Sequence, residues 1–129
     1  VIFDFEGEVL RPLAERAAKA CPLKDAAGML RSFHYAGSMA LAGQPDAAAT
    51  WGRLARTSFL RAYWQEAGRA PVRLFPEDPG EAAAVLGFFE VEKALYELLY
   101  EIKNRPDWVR VPLAGLLHVL DHRPEATQV

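Results

Sequence analysis

Cysteine is nearly absent: Cys21 is the single one among 129 residues. An internal disulfide is excluded, and the usage fits a reducing compartment, with the cytoplasm as the expected location. A basic excess is also missing, since 15 lysines and arginines face 17 aspartates and glutamates, for a formal net charge of -2. With no surplus of cations to neutralise phosphates, nucleic acid is not an expected partner. Charges break the apolar runs well short of the roughly 20 residues that span a bilayer, so no membrane partner is expected. No basic stretch leads into an apolar segment as in a secretory signal. Strand candidates are few, and the best beyond the first residues, Arg69 to Phe75, is weakened by Pro71. What remains is a soluble globular composition, 51% hydrophobic and 25% charged, long enough for one domain with a core.

The chain is organised around its first eight residues, Val1-Ile2-Phe3-Asp4-Phe5-Glu6-Gly7-Glu8. A short apolar strand that ends on a carboxylate, followed by a glycine turn and further carboxylates, suits a hard cation. Magnesium takes oxygen ligands, usually one or two carboxylates together with substrate phosphates. On spacing alone Asp4 reads more readily as a turn residue than as a metal ligand. A chain that opens on a strand with no lead-in is expected to be a piece of something longer.

Everything after that reads as helix. Leu13 to Ala20 suits a short helix between Pro12 and Pro22. Three-and-four spacing of Ala26, Met29, Leu30, Phe33, Gly37, Ala40 and Leu41 predicts a helix over 25–42, with Gly43 and Pro45 ending it. Asp46 then reads as the cap of a helix over 46–67, with Trp51, Leu54, Ala55, Phe59 and Ala62 on one side. A third long helix is expected over 78–103, with Gly87 as a point where it kinks or breaks. Phe88, Val91, Leu95, Leu98 and Ile102 form its apolar seam, the expected buried face. A last helix is expected over 112–121. The whole of 1–129 reads as a single helical unit, mainly α, with one strand and turn at 1–8.

The flank of the third helix carries a second pattern. At 100° per residue Phe89, Tyr96 and Tyr100 share one side, and Glu92 falls between them and the seam. Glu90, Glu97 and Glu101 are expected to point into solvent, leaving Glu92 as the partly buried carboxylate that needs a partner. Aromatic faces beside a fixed carboxylate suit a sugar, whose C–H faces stack on rings while its hydroxyls need acceptors. Packing alone would account for the same tyrosines. His118 and His122 have a spacing that can hold zinc but lack a third ligand nearby. His34 reads as a packing residue and Asp25 as a cap or brace.

These stretches together resemble the C-terminal part of maltokinases, free-standing or fused to trehalose synthase. The residues that carry the resemblance are Asp4-Phe5-Glu6-Gly7-Glu8, Arg11-Pro12-Leu13, Pro22 through Ala36, Phe89 through Leu98, and Asn104 through Val109. The resemblance implies the helical C-lobe of a kinase-like fold, similar to aminoglycoside phosphotransferases, with one N-terminal strand. It implies transfer of the ATP γ-phosphate to maltose, giving maltose 1-phosphate for an α-glucan pathway that also involves trehalose. Asp-Phe-Glu then resembles the magnesium-binding Asp-Phe-Gly of protein kinases. Asp4 would hold Mg2+, Glu6 would contact substrate or metal, and Glu92, Tyr96 and Tyr100 would line the maltose site. The implied partners are maltose, ATP and a fused or associated trehalose synthase.

Departures accompany the match. The family's His-Gly-Asp-x-His segment, its glycine-rich loop and its ATP-binding lysine do not occur here. Val9 replaces a proline and Leu99 an arginine. No catalytic base is therefore assigned, and these 129 residues alone are expected not to transfer phosphate. Two alternatives stand beside this reading: the C-lobe of another sugar or aminoglycoside kinase, and a non-enzymatic helical assembly module.

Overall fold

The computed structural model describes residues 11–121. The strand and turn expected at 1–8, with Asp4 and Glu6, lie outside the described residues. So does His122. Among the described residues there is no strand, and the architecture is helical throughout. Helix α1 covers Leu13–Ala17, α2 Leu23–Ala40, α3 Pro45–Ala67, α4 Pro79–Asn104 and α5 Arg110–Asp121, with one 3-10 turn at Pro106–Trp108.

Helix boundaries follow proline chemistry more closely than the apolar spacing does. Pro22 is already helical in backbone angle, so α2 begins two residues before Asp25, which lies in its first turn. Pro45 opens α3, because a missing N–H costs nothing at the first helical position. Asp46 is thus inside the first turn, not a cap. Gly43 turns the chain between α2 and α3 at φ +84°, a conformation that favours glycine. Asp78 caps α4 by accepting from the Glu81 N–H at 2.8 Å. The helix then runs unbroken through Gly87. Arg69 to Phe75 forms an irregular link and not a strand. Pro71 cannot donate to a sheet, and Phe75 instead packs on Trp64 with ring centroids 4.9 Å apart.

Helix α2 is the centre, touching α3, α4 and α5. Leu23, Ala26, Ala27 and Leu30 are buried along it, and the small residues let neighbours approach closely. Gly37 shows how closely: a Cβ there would lie 2.9 Å from Cε3 of Trp51 on α3. The α2–α3 contact is aromatic. Phe33 meets Trp51 and Phe59 edge-on, and Phe59 continues through Tyr63 to Trp64. Leu54 and Ala62, expected on that face, point outward instead.

The rotation of α4 reverses the expected one. Phe88 is 65% exposed and Ile102 55%, and Leu95 is exposed as well. Facing inward are Ala82, Leu86, Glu90, Ala94 and Glu101. Both stripes have helical spacing, so periodicity alone does not choose between them. The choice is made by α2 and α3, which offer arginines to that side of α4 and so draw in its acidic stripe.

Candidate functional site

Three arginine–carboxylate pairs line the inward side of α4. Arg31 of α2, almost fully buried, donates through Nε to Glu97 Oε2 at 2.9 Å, with Nη2 at 2.8 Å from the same oxygen. Arg56 of α3 binds Glu90 with both guanidinium ends, at 2.5 and 2.9 Å. Arg105, just past α4, grips Glu101 at 2.8 and 2.7 Å, and the Tyr35 hydroxyl donates to Glu101 at 3.1 Å. Two-pronged geometry of this kind adds direction to charge attraction. Glu90 and Glu101 are only 3% and 2% exposed, so their placement inside is possible because each is paired.

These surroundings shift the titrating groups. Burial raises the Glu97 carboxyl above the usual carboxylate range, and the pull of Arg31 offsets only part of that. Burial also raises the Tyr35 hydroxyl well above its ordinary value, helped by Glu97 and Glu101. His34 moves the other way: burial, then Arg31, disfavours its charged form. Its Nε2 lies 3.2 Å from the backbone oxygen of Val111, which joins α2 to α5 and fits the packing role read from sequence.

On a neighbouring edge of α4, Glu92, Tyr96 and Tyr100 recur every four residues and share one strip. Each is half-buried. Arg11 reaches Glu92 Oε1 at 2.7 Å, so the partner expected for this carboxylate is an arginine. Glu92 is half-buried as expected but is not alone in this: Glu90 and Glu101 are buried and Glu97 is half-buried, so none of those three is solvated as expected. Lys93 Nζ sits 5.0 Å from the centre of the Tyr96 ring. Arg105 lies over Tyr100 at 5.4 Å and over Trp108 at 4.5 Å, each a cation against an aromatic face. Phe89 leaves the strip and packs against the apolar core of Ala26, Ala27, Leu30 and Leu86.

The arrangement can offer two partly open tyrosine faces next to a paired carboxylate and a lysine. Among the described residues no three histidine, cysteine, aspartate or glutamate side chains converge as ligands, and the buried carboxylates are bound by arginines. The expected magnesium ligand, Asp4, lies outside the described residues. No described helix is long and apolar enough to cross a membrane.

The arginine pairs escaped the sequence reading, although one signal for them existed. Arg31 falls four residues after Ala27 and one after Leu30, on the face that α2 buries. A charge on a buried face calls for an opposite charge opposite it, and Glu97 was available.

No protein-family model matches the chain. The chain is similar to a glucosamine kinase of Streptacidiphilus jiangxiensis, 28% identical over 126 residues, covering 95% of this chain and 28% of that protein. It is also similar to a glucosamine kinase of Mycolicibacterium smegmatis, 31% identical over 124 residues, covering 94% of this chain and 30% of that protein. Nearly the whole chain thus corresponds to less than a third of the curated relatives it matches.

Proposed function

We propose that this chain is the helical acceptor-side part of an ATP-dependent sugar kinase. The observation that carries the reading is the similarity of nearly all its residues to part of two glucosamine kinases. An amino sugar of the glucosamine type is accordingly the first acceptor. Maltose is the second, favoured by the Asp-Phe-Glu-Gly-Glu, Arg-Pro-Leu and Asn-Arg-Pro-Asp-Trp segments that resemble maltokinases; that reading alone brings a trehalose synthase partner with it.

In either case Tyr96 and Tyr100 stack on the apolar face of the sugar, and Glu92 with Lys93 meets its polar edge. Arg31, Arg56 and Arg105 act one layer behind, fixing the rotation of α4 and so the direction of both rings. Glu6 is assigned to substrate or metal. Asp4 is the residue that would hold magnesium, which would supply charge stabilisation for the phosphates of ATP.

The test is an ADP-release assay on the intact polypeptide that carries this chain, with glucosamine, maltose, glucose and an aminoglycoside as acceptors. Turnover of glucosamine or maltose is expected, and an ATP-binding protein that phosphorylates none of the four sinks the proposal. Within an active enzyme, Tyr96→Ala and Tyr100→Ala should raise KM about tenfold with a smaller change in kcat, the mark of lost ground-state binding.

A further inference from the structure

Helices α3 and α5 flank α2 without touching each other, and the gap between them is a cleft of about 630 Å³. That size lies within the range of small-molecule sites. None of Glu92, Tyr96 or Tyr100 lines it. Its walls are small or apolar where a ligand body would lie: Ala48 and Gly52 on α3, Leu30 and Phe33 on α2, Val111 on α5. Its ionisable lining comprises four arginines and two histidines against the single carboxylate of Glu90, so its charge comes from the arginines.

Two of those arginines are already neutralised, Arg31 by Glu97 and Arg56 by Glu90. The other two are not. Arg53 reaches only the Thr50 hydroxyl, at 3.2 Å, and Arg110 has no carboxylate partner among the described residues. The cleft therefore holds about two uncompensated positive charges in a chain whose net charge is -2. Concave walls concentrate such a field, and guanidinium forks match phosphate oxygens in spacing and charge. Two charges also match a phosphomonoester, which is close to a dianion at neutral pH.

We propose that the α2–α3–α5 cleft binds a small phosphomonoester, its phosphate held between Arg53 and Arg110 and its body against the small residues of α3. The site is separate from the tyrosine strip and does not depend on the sugar-kinase reading.

The experiment titrates inorganic phosphate, glucose 6-phosphate and glucose into the intact protein, followed by calorimetry and by the imidazole NMR signals of His34 and His118, which both line the cleft. Glucose 6-phosphate is expected to bind saturably and to move both signals, with inorganic phosphate weaker and glucose silent. The paired substitution Arg53→Ala and Arg110→Ala removes two exposed side chains and should leave the melting temperature unchanged. It should weaken glucose 6-phosphate binding at least tenfold. No saturable binding overturns the proposal. Binding that survives the double substitution, or that leaves both imidazoles unmoved, places the anion elsewhere and overturns it equally.

Discussion

Along α4 one stripe carries Glu90, Glu97 and Glu101 inward, while another carries Phe88, Leu95, Leu99 and Ile102 outward. Polarity alone would assign the two faces the other way round. The difference teaches that a helix face is buried by what stands opposite it. Arg31 and Arg56 on the adjoining helices, with Arg105 at the end of α4, make the acidic stripe complementary to its neighbours. Nothing among the described residues covers the leucines. An apolar strip left open in this way is the kind of surface that proteins use to pack against something else.

The largest effect should come from breaking the inward face. Glu97→Leu leaves the Arg31 charge buried and unpaired, and a loss of about 3–5 kcal/mol is expected in urea unfolding. Adding Arg31→Met should restore most of it, since an apolar pair in the same volume is often neutral. A double variant no more stable than Glu97→Leu would show that the ion pair is not what holds this face.

Next is Gly115→Ala. A Cβ at 115 would lie 2.7 Å from Cζ of Arg31, so the guanidinium must shift and loosen its hold on Glu97. About 1–3 kcal/mol should be lost, and far less in the Arg31→Met background. Urea midpoints of the four proteins check the coupling.

pH sharpens the comparison without deleting a contact. Because the folded Glu97 carboxyl is raised above its unfolded value near 4.5, the native state holds its proton longer. That contribution is full below 4.5 and is lost as pH rises through the folded value. His34, lowered from 6.5, contributes in the opposite sense: its share is full above 6.5 and is lost as pH falls through its folded value. Between the two ordinary values the slopes oppose. Glu97→Gln should therefore make stability rise more steeply with pH in that window, and His34→Gln should make it fall. Unfolding midpoints measured from pH 4.5 to 7.5 read both slopes.

The smallest effect belongs to the outward face. Leu95→Ser and Leu99→Ser should each change the stability of this chain by no more than about 0.5 kcal/mol. A loss of 2 kcal/mol or more would mean that the apolar strip is covered after all.

The helical class and the positions of the long helices were legible in the sequence, because proline, glycine and three-and-four spacing act locally. The rotation of α4 was not, since it depends on Arg31, 66 positions before Glu97 in the chain. The strip of Glu92, Tyr96 and Tyr100 was legible as a strip, being set by one helix's own geometry. Its pairing with Arg11, 81 positions away, was foreseen as a need for a partner but not as this one. The cleft was invisible for a related reason: it is a gap between two helices that never meet, and no local pattern records it.

The close approach of Gly37 to Trp51 bears on how the molecule yields. Helix α3 has no fully buried residue. It is held at its start by the indole seated on Gly37, near its middle by Arg56 on Glu90 and Phe59 on Phe33, and toward its end by Leu60, Tyr63 and Trp64 against the core of α2 and α4. Attachment through partly buried side chains alone sets α3 apart from α2 and α4, which both carry fully buried residues. Local opening draws on the less buried elements of a fold, and α3 is also one wall of the cationic cleft.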